Sequence, residues 1–265
     1  MAYGAEIKND DGEVIIDGSN PCAFLHYKKT LTATVNRRTN SRVLYRNPII
    51  VAFDEPITTD APPFILAYAH DEYLTMGVMS GGPGNWLGFS CFVPWLGPSN
   101  YGSSSVTFTI EYAVFSTIGD FQSNDAYGMQ IFSSNGEQVF DSRKFPFVLD
   151  GNFEYKTYAE DMRGLSENSD LFDDSKGRIF TTPSERHLPL LSGLNELLFF
   201  GYNDRYYGYA KAAIKRIDAV TWKFNFGVMY IFLNDITFGN LGDDDVPLHG
   251  GGQGATNMFL FAQCP

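Results

Sequence analysis

The feature that most constrains the fold is a short sequence pattern that occurs twice, 124 positions apart. Residues 3–17 read YGAEIKNDDGEVIID and residues 127–141 read YGMQIFSSNGEQVFD, which share six identities in fifteen ungapped positions. In each copy apolar residues flank a turn that ends in glycine, at Gly12 and at Gly136. Asp-Gly and Asn-Gly supply the positive φ angles that tight hairpin turns need. The pattern predicts one β-hairpin in each copy and an internal duplication of the chain.

Weaker matches continue the repeat toward the carboxyl end. The matched segments are Leu66–Tyr68 with Phe200–Tyr202, Trp86 with Trp222, and residues 105–115 with residues 257–263. The growing offset indicates loops that lengthened in the second copy, since loop closure entropy rises only slowly with length. The sequence therefore predicts two tandem β-sandwich-like domains, residues 1–123 and 124–265, related by internal duplication.

Hydrophobic periodicity supports an all-β fold. Apolar residues alternate with polar ones over residues 105–115 and 222–232. A period of two over about ten residues is typical of a half-buried strand that packs on a second sheet. Only residues 210–217 and 158–165 have spacing that favours short helices.

Composition and charge exclude several function classes. Of the 265 residues, 44% are hydrophobic and 19% are charged, which is typical of a folded chain rather than a disordered one. Nineteen Lys and Arg against 31 Asp and Glu give a net charge of -12, opposite to what a nucleic-acid binder needs. The same acidity disfavours an anionic membrane surface, and an apolar run long enough to span a bilayer is lacking. Because the first residues lack a basic segment followed by an apolar one, we expect synthesis in a cytoplasm.

Motifs for catalysis, cofactors and metals are missing from the sequence. It contains no GxSxG, P-loop, dinucleotide-binding glycine pattern or HExxH. Ser184, Glu185 and His187 lie close together, but in a polar loop after a proline. The acidic stretch 243–245 lacks the spacing of a calcium loop, and the three cysteines form no CxxC pair. We therefore expect no enzyme, cofactor, metal site or disulfide framework.

Aromatic residues are the candidate binding residues. They make up 15% of the chain and cluster in two Gly-rich or Tyr-rich segments. Exposed aromatic rings serve as stacking platforms for sugars or as anchors in protein interfaces. The candidates are Trp86, Trp95, Tyr202, Tyr206, Tyr207 and Tyr209. Burial in the sandwich cores is the alternative for the two Trp residues, and the alternation around Trp222 places that residue inside.

The repeated hairpin resembles the opening of small β-rich tail proteins of bacteriophages. The resemblance is carried by Tyr-Gly-x-x-Ile, a turn glycine and a following apolar strand that ends in Asp, at 127–141 and again at 3–17. The strand Glu111–Phe115 is similar to the carboxy-terminal pattern of the same proteins. The resemblance covers about fifteen residues of each half, and this chain departs from it by carrying the motif twice.

The resemblance implies a noncatalytic virion component of the tail tip, baseplate or fibre region. Its implied partners are other tail proteins and further copies of itself within a symmetric assembly, after synthesis in the host bacterial cytoplasm. Two other functions remain open. One is a receptor-binding module that recognises a cell-surface glycan through the aromatic loops, and the other is a glycosidase that uses a carboxylate pair.

Overall fold

The computed structural model describes residues 7–8, 14–16, 22–40, 43–46, 48–94, 105–117, 127–136, 138–157, 177–191, 197–202, 206–233 and 255–265. Within these ranges the secondary structure is β, with eighteen strands and no α-helix. The all-β fold class predicted from the sequence is confirmed.

Nine strands lie before the predicted domain boundary. They are β1 (Ile7–Lys8), β2 (Val14–Ile16), β3 (Phe24–Asn40), β4 (Val43–Arg46), β5 (Ile49–Ile57), β6 (Phe64–Ala69), β7 (Thr75–Gly82), β8 (Asn85–Phe92) and β9 (Ser105–Ser116).

Nine further strands follow the boundary. They are β10 (Gln130–Phe132), β11 (Gln138–Asp141), β12 (Leu149–Thr157), β13 (Arg178–Thr181), β14 (His187–Pro189), β15 (Leu197–Tyr202), β16 (Tyr206–Arg216), β17 (Thr221–Leu233) and β18 (Ala255–Gln263).

All of the pairs among the described strands are antiparallel, and these strands form five sheets. The largest has the order β15-β16-β17-β4-β3-β9-β6, with β13 added to the edge of β17. Two three-stranded sheets have the orders β5-β8-β7 and β12-β18-β14. The remaining two are the hairpins β1-β2 and β10-β11. Antiparallel neighbours fit the short turns and alternating patterns in the sequence.

Both predicted hairpins are confirmed, and they have the same register. Ile7 pairs with Ile16 in the first, and Ile131 pairs with Phe140 in the second. A register shift follows Ile7 and also Ile131, the equivalent position. The second turn contains Gly136 at a φ of 81°, which a residue with a side chain rarely adopts.

The strand predicted at residues 105–115 is confirmed as β9, and its last five residues, 112–116, are buried on both faces. Tyr112 on one face meets the ring of Phe89 on β8, with ring centroids 5.6 Å apart. Phe115 on the other face meets Phe147, at 5.3 Å. Alternating threonines nearer the start of β9 stay at the surface, as the pattern predicts.

The helix predicted at residues 210–217 is wrong, because residues 206–216 form strand β16. Every residue from Ala210 to Arg216 pairs with β17. Ala212 and Ile214 are buried. A long antiparallel neighbour satisfies the backbone groups and buries the apolar face, so tertiary pairing overrides the helix propensity of Ala and Lys. The other predicted helix, at residues 158–165, lies outside the described residues.

One hydrophobic core contains residues from both sides of the predicted boundary at 123/124. It extends from Leu25 to Cys264. Strand β4 pairs with β3 on one edge and with β17 on the other. The ring of Tyr68 meets Trp222 edge-on at 5.5 Å. The division into domains 1–123 and 124–265 stays a prediction, and strands from its two sides pack together.

Candidate functional site

Three aliphatic side chains are exposed on the sheet β5-β8-β7. Ile50 is 73% exposed, Val78 69% and Leu87 46%. On β5, Ile50 lies between Ile49 and Val51, which are both buried in the core, so it faces the opposite side. We call Ile50, Val78 and Leu87 the outer apolar face. Exposed apolar side chains that form a patch are uncommon on monomeric proteins and mark interaction surfaces.

Ser90 holds two of these residues in place. Its backbone pairs with Ile50 across β5 and β8. Its hydroxyl accepts a hydrogen bond from the Val78 N–H at 2.9 Å and lies 3.3 Å from the Val78 carbonyl oxygen. These bonds occupy the backbone groups that a register shift after Met76 leaves without a strand partner. The outer apolar face is therefore built on a fixed backbone.

The hairpin β10-β11 exposes further apolar surface. Tyr127 is 92% exposed and Phe132 is 50% exposed. In contrast, Ile131 and Val139 are buried beneath the hairpin. Cys22 donates its backbone N–H to the Val139 carbonyl at 3.0 Å, which ties the hairpin to the segment before β3.

Asp141 closes this hairpin through a buried carboxylate. Arg143 donates to both of its oxygens, from Nε at 2.9 Å and Nη2 at 2.8 Å. Gln130 and Gln138 donate to Oδ2 at 3.0 and 2.9 Å. The Arg143 hydrogen bonds are the largest cause that holds the pKa of Asp141 well below its usual range. The network fixes the shape of the hairpin, because moving any of the three donor residues would take hydrogen bonds away from the buried Asp141 carboxylate.

A second polar network connects three strands, β6, β9 and β16, near Trp222. Arg216 donates from Nη1 to the phenol oxygen of Tyr68 at 2.8 Å, and its guanidinium lies 4.8 Å from the centre of the Tyr68 ring. Tyr68 donates in turn to Glu111, which also lies 2.8 Å from His70 Nε2. Burial raises the pKa of Tyr68 to about 12. Burial raises the pKa of Glu111 too, but hydrogen bonds from Tyr68 and His70 outweigh it and the net pKa is lowered.

The Ser184 and His187 pair seen in the sequence acquires a third member that the sequence analysis missed. Ser184 Oγ lies 2.9 Å from His187 Nδ1, and Asp150 Oδ2 lies 3.1 Å from His187 Nε2. Hydrogen bonds from Gln263 and then His187 lower the pKa of Asp150. In serine hydrolases the carboxylate binds Nδ1 and the serine faces Nε2, so the ring here is used in the reverse sense. His187 is 3% exposed, and both of its nitrogens bind neighbours. The cluster ties the turn before β14 to β12 and β18.

Trp86, the first aromatic candidate, lies partly buried at the margin of the core. Its indole N–H donates to the Thr59 carbonyl oxygen at 2.8 Å. Its ring packs against the core cluster. One face of the ring is therefore occupied by the protein itself. Trp95 lies outside the described residues, as do the acidic residues at 243–245.

The four tyrosine candidates fall on one hairpin, β15-β16. Tyr202 pairs with Tyr206, Gly201 with Tyr207, and Phe199 with Tyr209. Because alternate residues share a face of a strand, Tyr207 and Tyr209 occupy register positions on one face and Tyr202 and Tyr206 on the other. All four tyrosines therefore lie on two strands that pair with each other.

Within the described part of the chain, His, Cys, Asp and Glu side chains form no group of three or more that could hold a metal ion. None of the described segments is a helix of the length and hydropathy needed to cross a membrane. Cys91 and Cys264 are buried, and Cys22 lies at intermediate depth.

Comparison with known proteins identifies no relative. Neither a protein-family model, nor a curated protein, nor a solved structure matches the chain.

Proposed function

We propose that the chain is a noncatalytic structural protein of a bacteriophage tail, at the tail tip, baseplate or fibre attachment. It assembles in the virion through contacts with other tail proteins and with further copies of itself, after synthesis in the bacterial cytoplasm. The repeated hairpin motif suggests this class of protein. The observation that supports assembly is the outer apolar face, since Ile50 and Val78 each keep more than two thirds of their surface exposed.

The exposed aromatic surface of the hairpin β10-β11 supports the same proposal. Tyr127 is 92% exposed and Phe132 is 50% exposed, and the network around Asp141 joins β10 to β11 beside them. Rigid aromatic anchors lose little conformational entropy on binding, so they suit protein interfaces.

The experiment compares the wild-type chain with a variant in which the outer apolar face is polar: Ile50→Thr, Val78→Thr and Leu87→Thr together. Light scattering gives the oligomeric state, and cryo-EM of virions that incorporate the chain gives its place. We expect the variant to remain folded but to lose assembly, because the three side chains contribute little to the core of the isolated chain.

The matched control replaces three exposed threonines of β3, Thr30, Thr32 and Thr34, with serine. These changes leave both the core and the outer apolar face intact, so assembly should be retained. The proposal is wrong if the wild-type chain stays monomeric at all concentrations and is absent from every particle.

A carbohydrate-binding module is the second candidate function. It is favoured by the tyrosines of β15-β16, since four of the eleven residues from Phe200 to Ala210 are tyrosine and lie on one hairpin. Tyrosine rings stack on sugars through their faces. A glycan array tests this function. Binding that is lost in Tyr207→Ser and Tyr209→Ser variants would support it, and an array without signal would exclude the sampled glycans.

A further inference from the structure

Strand pairing on the two sides of residue 124 agrees in detail. The pairs Leu25↔Phe115 and Lys28↔Ala113 join β3 to β9, and Leu149↔Ala262 and Asn152↔Leu260 join β12 to β18. The β12 residues lie 124 positions after their β3 equivalents, as Leu149 does after Leu25. The β18 residues lie 147 positions after their β9 equivalents, as Ala262 does after Phe115. The irregularity in register falls at the same place in both ladders, after Leu25 and after Leu149.

The third strand of each of these sheets agrees as well. Phe64 pairs with Phe115 in the first half, and Leu188 pairs with Ala262 in the second. The separations are again 124 and 147 positions. The two strand orders β3-β9-β6 and β12-β18-β14 therefore have the same neighbours in the same register.

The other sheets follow the same scheme. Trp86 on β8 pairs with Ile57 on β5 and Gly81 on β7. Trp222 on β17 pairs with Phe180 on β13 and Arg216 on β16. The orders β5-β8-β7 and β13-β17-β16 thus correspond. Equivalent residues are 124 positions apart in β6 and β14, as for Phe64 and Leu188, but 135 positions apart in β7 and β16, as for Gly81 and Arg216. The additional strand β15, which pairs with β16, lies between these two points in the chain.

We infer that the two halves are copies of one β-module that bind each other as an internal dimer, through an interface at which the edge strands β6 and β14 meet. Leu66 and Leu190 form an antiparallel bridge with each other. The strand ladders make them equivalent positions, 124 apart, so Leu66 does not correspond to Phe200 as the sequence pattern predicted. In a twofold contact the residue on the symmetry axis meets its own copy. Both leucines are buried in this contact. The partner that this surface fits is a second copy of the same module, supplied within the chain.

A second contact joins the other pair of sheets. Leu74 and Ile214 exchange backbone hydrogen bonds of 2.9 and 3.0 Å, which links the strand entering β7 to β16. Lys211, whose burial lowers its pKa, donates from Nζ to the Met76 carbonyl oxygen at 2.6 Å. Met76 and Lys211 are themselves equivalent positions in the β7-β8 and β16-β17 ladders. Both layers of the fold are therefore joined edge to edge across the boundary between the copies.

The test is a circular permutant that reverses the order of the copies: residues 124–265, a flexible Gly/Ser linker, then residues 1–123. Modules that bind each other through preformed edges tolerate either order. We expect the permutant to give the β-type circular dichroism spectrum of the natural order. With Leu66→Cys and Leu190→Cys added, both orders should form the 66–190 disulfide on mild oxidation, detected by mass spectrometry of the digest.

The control permutant opens the chain inside one copy, between Pro83 and Gly84 in the turn of the β7-β8 hairpin. An unfolded reversed-order permutant beside a folded control would overturn the inference. So would a folded reversed-order permutant that forms no 66–190 disulfide under conditions in which the natural order forms it. Neither readout depends on assembly into a virion, so the proposed function can fail while this inference stands.

Discussion

At the scale of single residues, two charged side chains that each bind several partners stabilise this fold. Among the described residues of this chain, whose net charge is -12, the carboxylates are exposed or half-buried with one exception. Asp141 is the exception, being 3% exposed and surrounded by donors from three residues. Arg216 is a second charged side chain with several partners, because it binds carbonyl oxygens of a turn and also covers two aromatic rings. Neither role could be predicted from the residue type alone.

The Asp141→Asn variant should lose about 2 kcal/mol of unfolding free energy at pH 7, the usual value of a hydrogen-bonded charge. The pKa of Asp141 is lowered in the folded state, so its contribution is complete above the unfolded value of about 4 and disappears as the pH falls further. Urea unfolding of the wild type and the variant at pH 7 and at pH 3 measures the lost free energy of unfolding and its dependence on pH. The difference between wild type and variant should shrink at the lower pH.

The matched control is Asp60→Asn, since Asp60 is exposed in the loop before β6. We expect a change within about 0.5 kcal/mol at both pH values. Equal effects of the two substitutions would contradict a special role for Asp141.

Arg216→Lys should cost about 1 to 2 kcal/mol although the charge is kept. Arg216 donates to the Asp218 and Ala219 carbonyl oxygens at 3.0 and 2.6 Å. A lysine ammonium cannot reach these acceptors and Tyr68 together, and it stacks less well on the rings. Urea unfolding of Arg216→Lys beside the exposed-site control Arg178→Lys measures the difference, and comparable losses would refute it.

At the scale of elements, the β7-β8 hairpin contains one position that requires glycine and a neighbouring position that would accept a side chain. Gly81 has a φ of 92°, and a Cβ there would lie 2.1 Å from the Asn85 carbonyl oxygen. Its neighbour Gly82 has open space where a Cβ would lie. Two adjacent residues of the same type therefore have different structural roles.

Gly81→Ala should destabilise the protein by at least about 2 kcal/mol, because both the positive φ and the clash oppose it. Gly82→Ala, the adjacent control, should change stability by less than about 1 kcal/mol. Thermal unfolding of the two variants checks the contrast. If Gly82→Ala were the more damaging substitution, the register of this hairpin would differ from the one described.

Element type was predictable where local pattern and tertiary surroundings agree. The hairpins β1-β2 and β10-β11 follow from turn glycines between apolar residues, and their pairing is as predicted. The segment at 210–217 shows the opposite case. Its Ala and Lys residues favour a helix in isolation, whereas the neighbouring strand β17 supplies a continuous ladder.

At the scale of the whole molecule, the hydrophobic core that both halves share determines how the chain unfolds. Core residues run from Leu25 to Cys264, and β4 bridges strands from both halves. A chain whose halves share a core and a sheet should unfold as one cooperative unit. Independent domains would instead unfold in two steps.

Leu66→Ala should therefore destabilise both halves together, by about 2 to 4 kcal/mol. Leu66 is fully buried where β6 meets β14. Hydrogen exchange with mass spectrometry should show faster exchange in β9 and in β18 by the same factor. The control is Ile50→Ala, whose side chain is 73% exposed. A loss of protection confined to residues 1–123 would indicate two independent domains.

The candidate surface was only partly predictable. Composition indicated aromatic residues as binding groups, but Trp86 places its indole N–H against Thr59. The outer apolar face was missed, because Ile50, Val78 and Leu87 have the same residue types as the core. Exposure of an aliphatic residue depends on which face of a strand the register turns outward, and one residue of shift reverses it.

The sequence by itself determined the β class, the two hairpins and the buried position of Trp222, because turn chemistry and period-two alternation are local properties of the chain. Only the tertiary structure decided that His187 meets Asp150, that Arg216 covers Tyr68, and that Leu66 meets Leu190. These contacts join residues between 37 and 148 positions apart. These contacts form because burial of a common core brings strands together that are distant in the sequence. Hydrophobic burial is non-directional, so a local sequence pattern does not specify which distant strand becomes the neighbour.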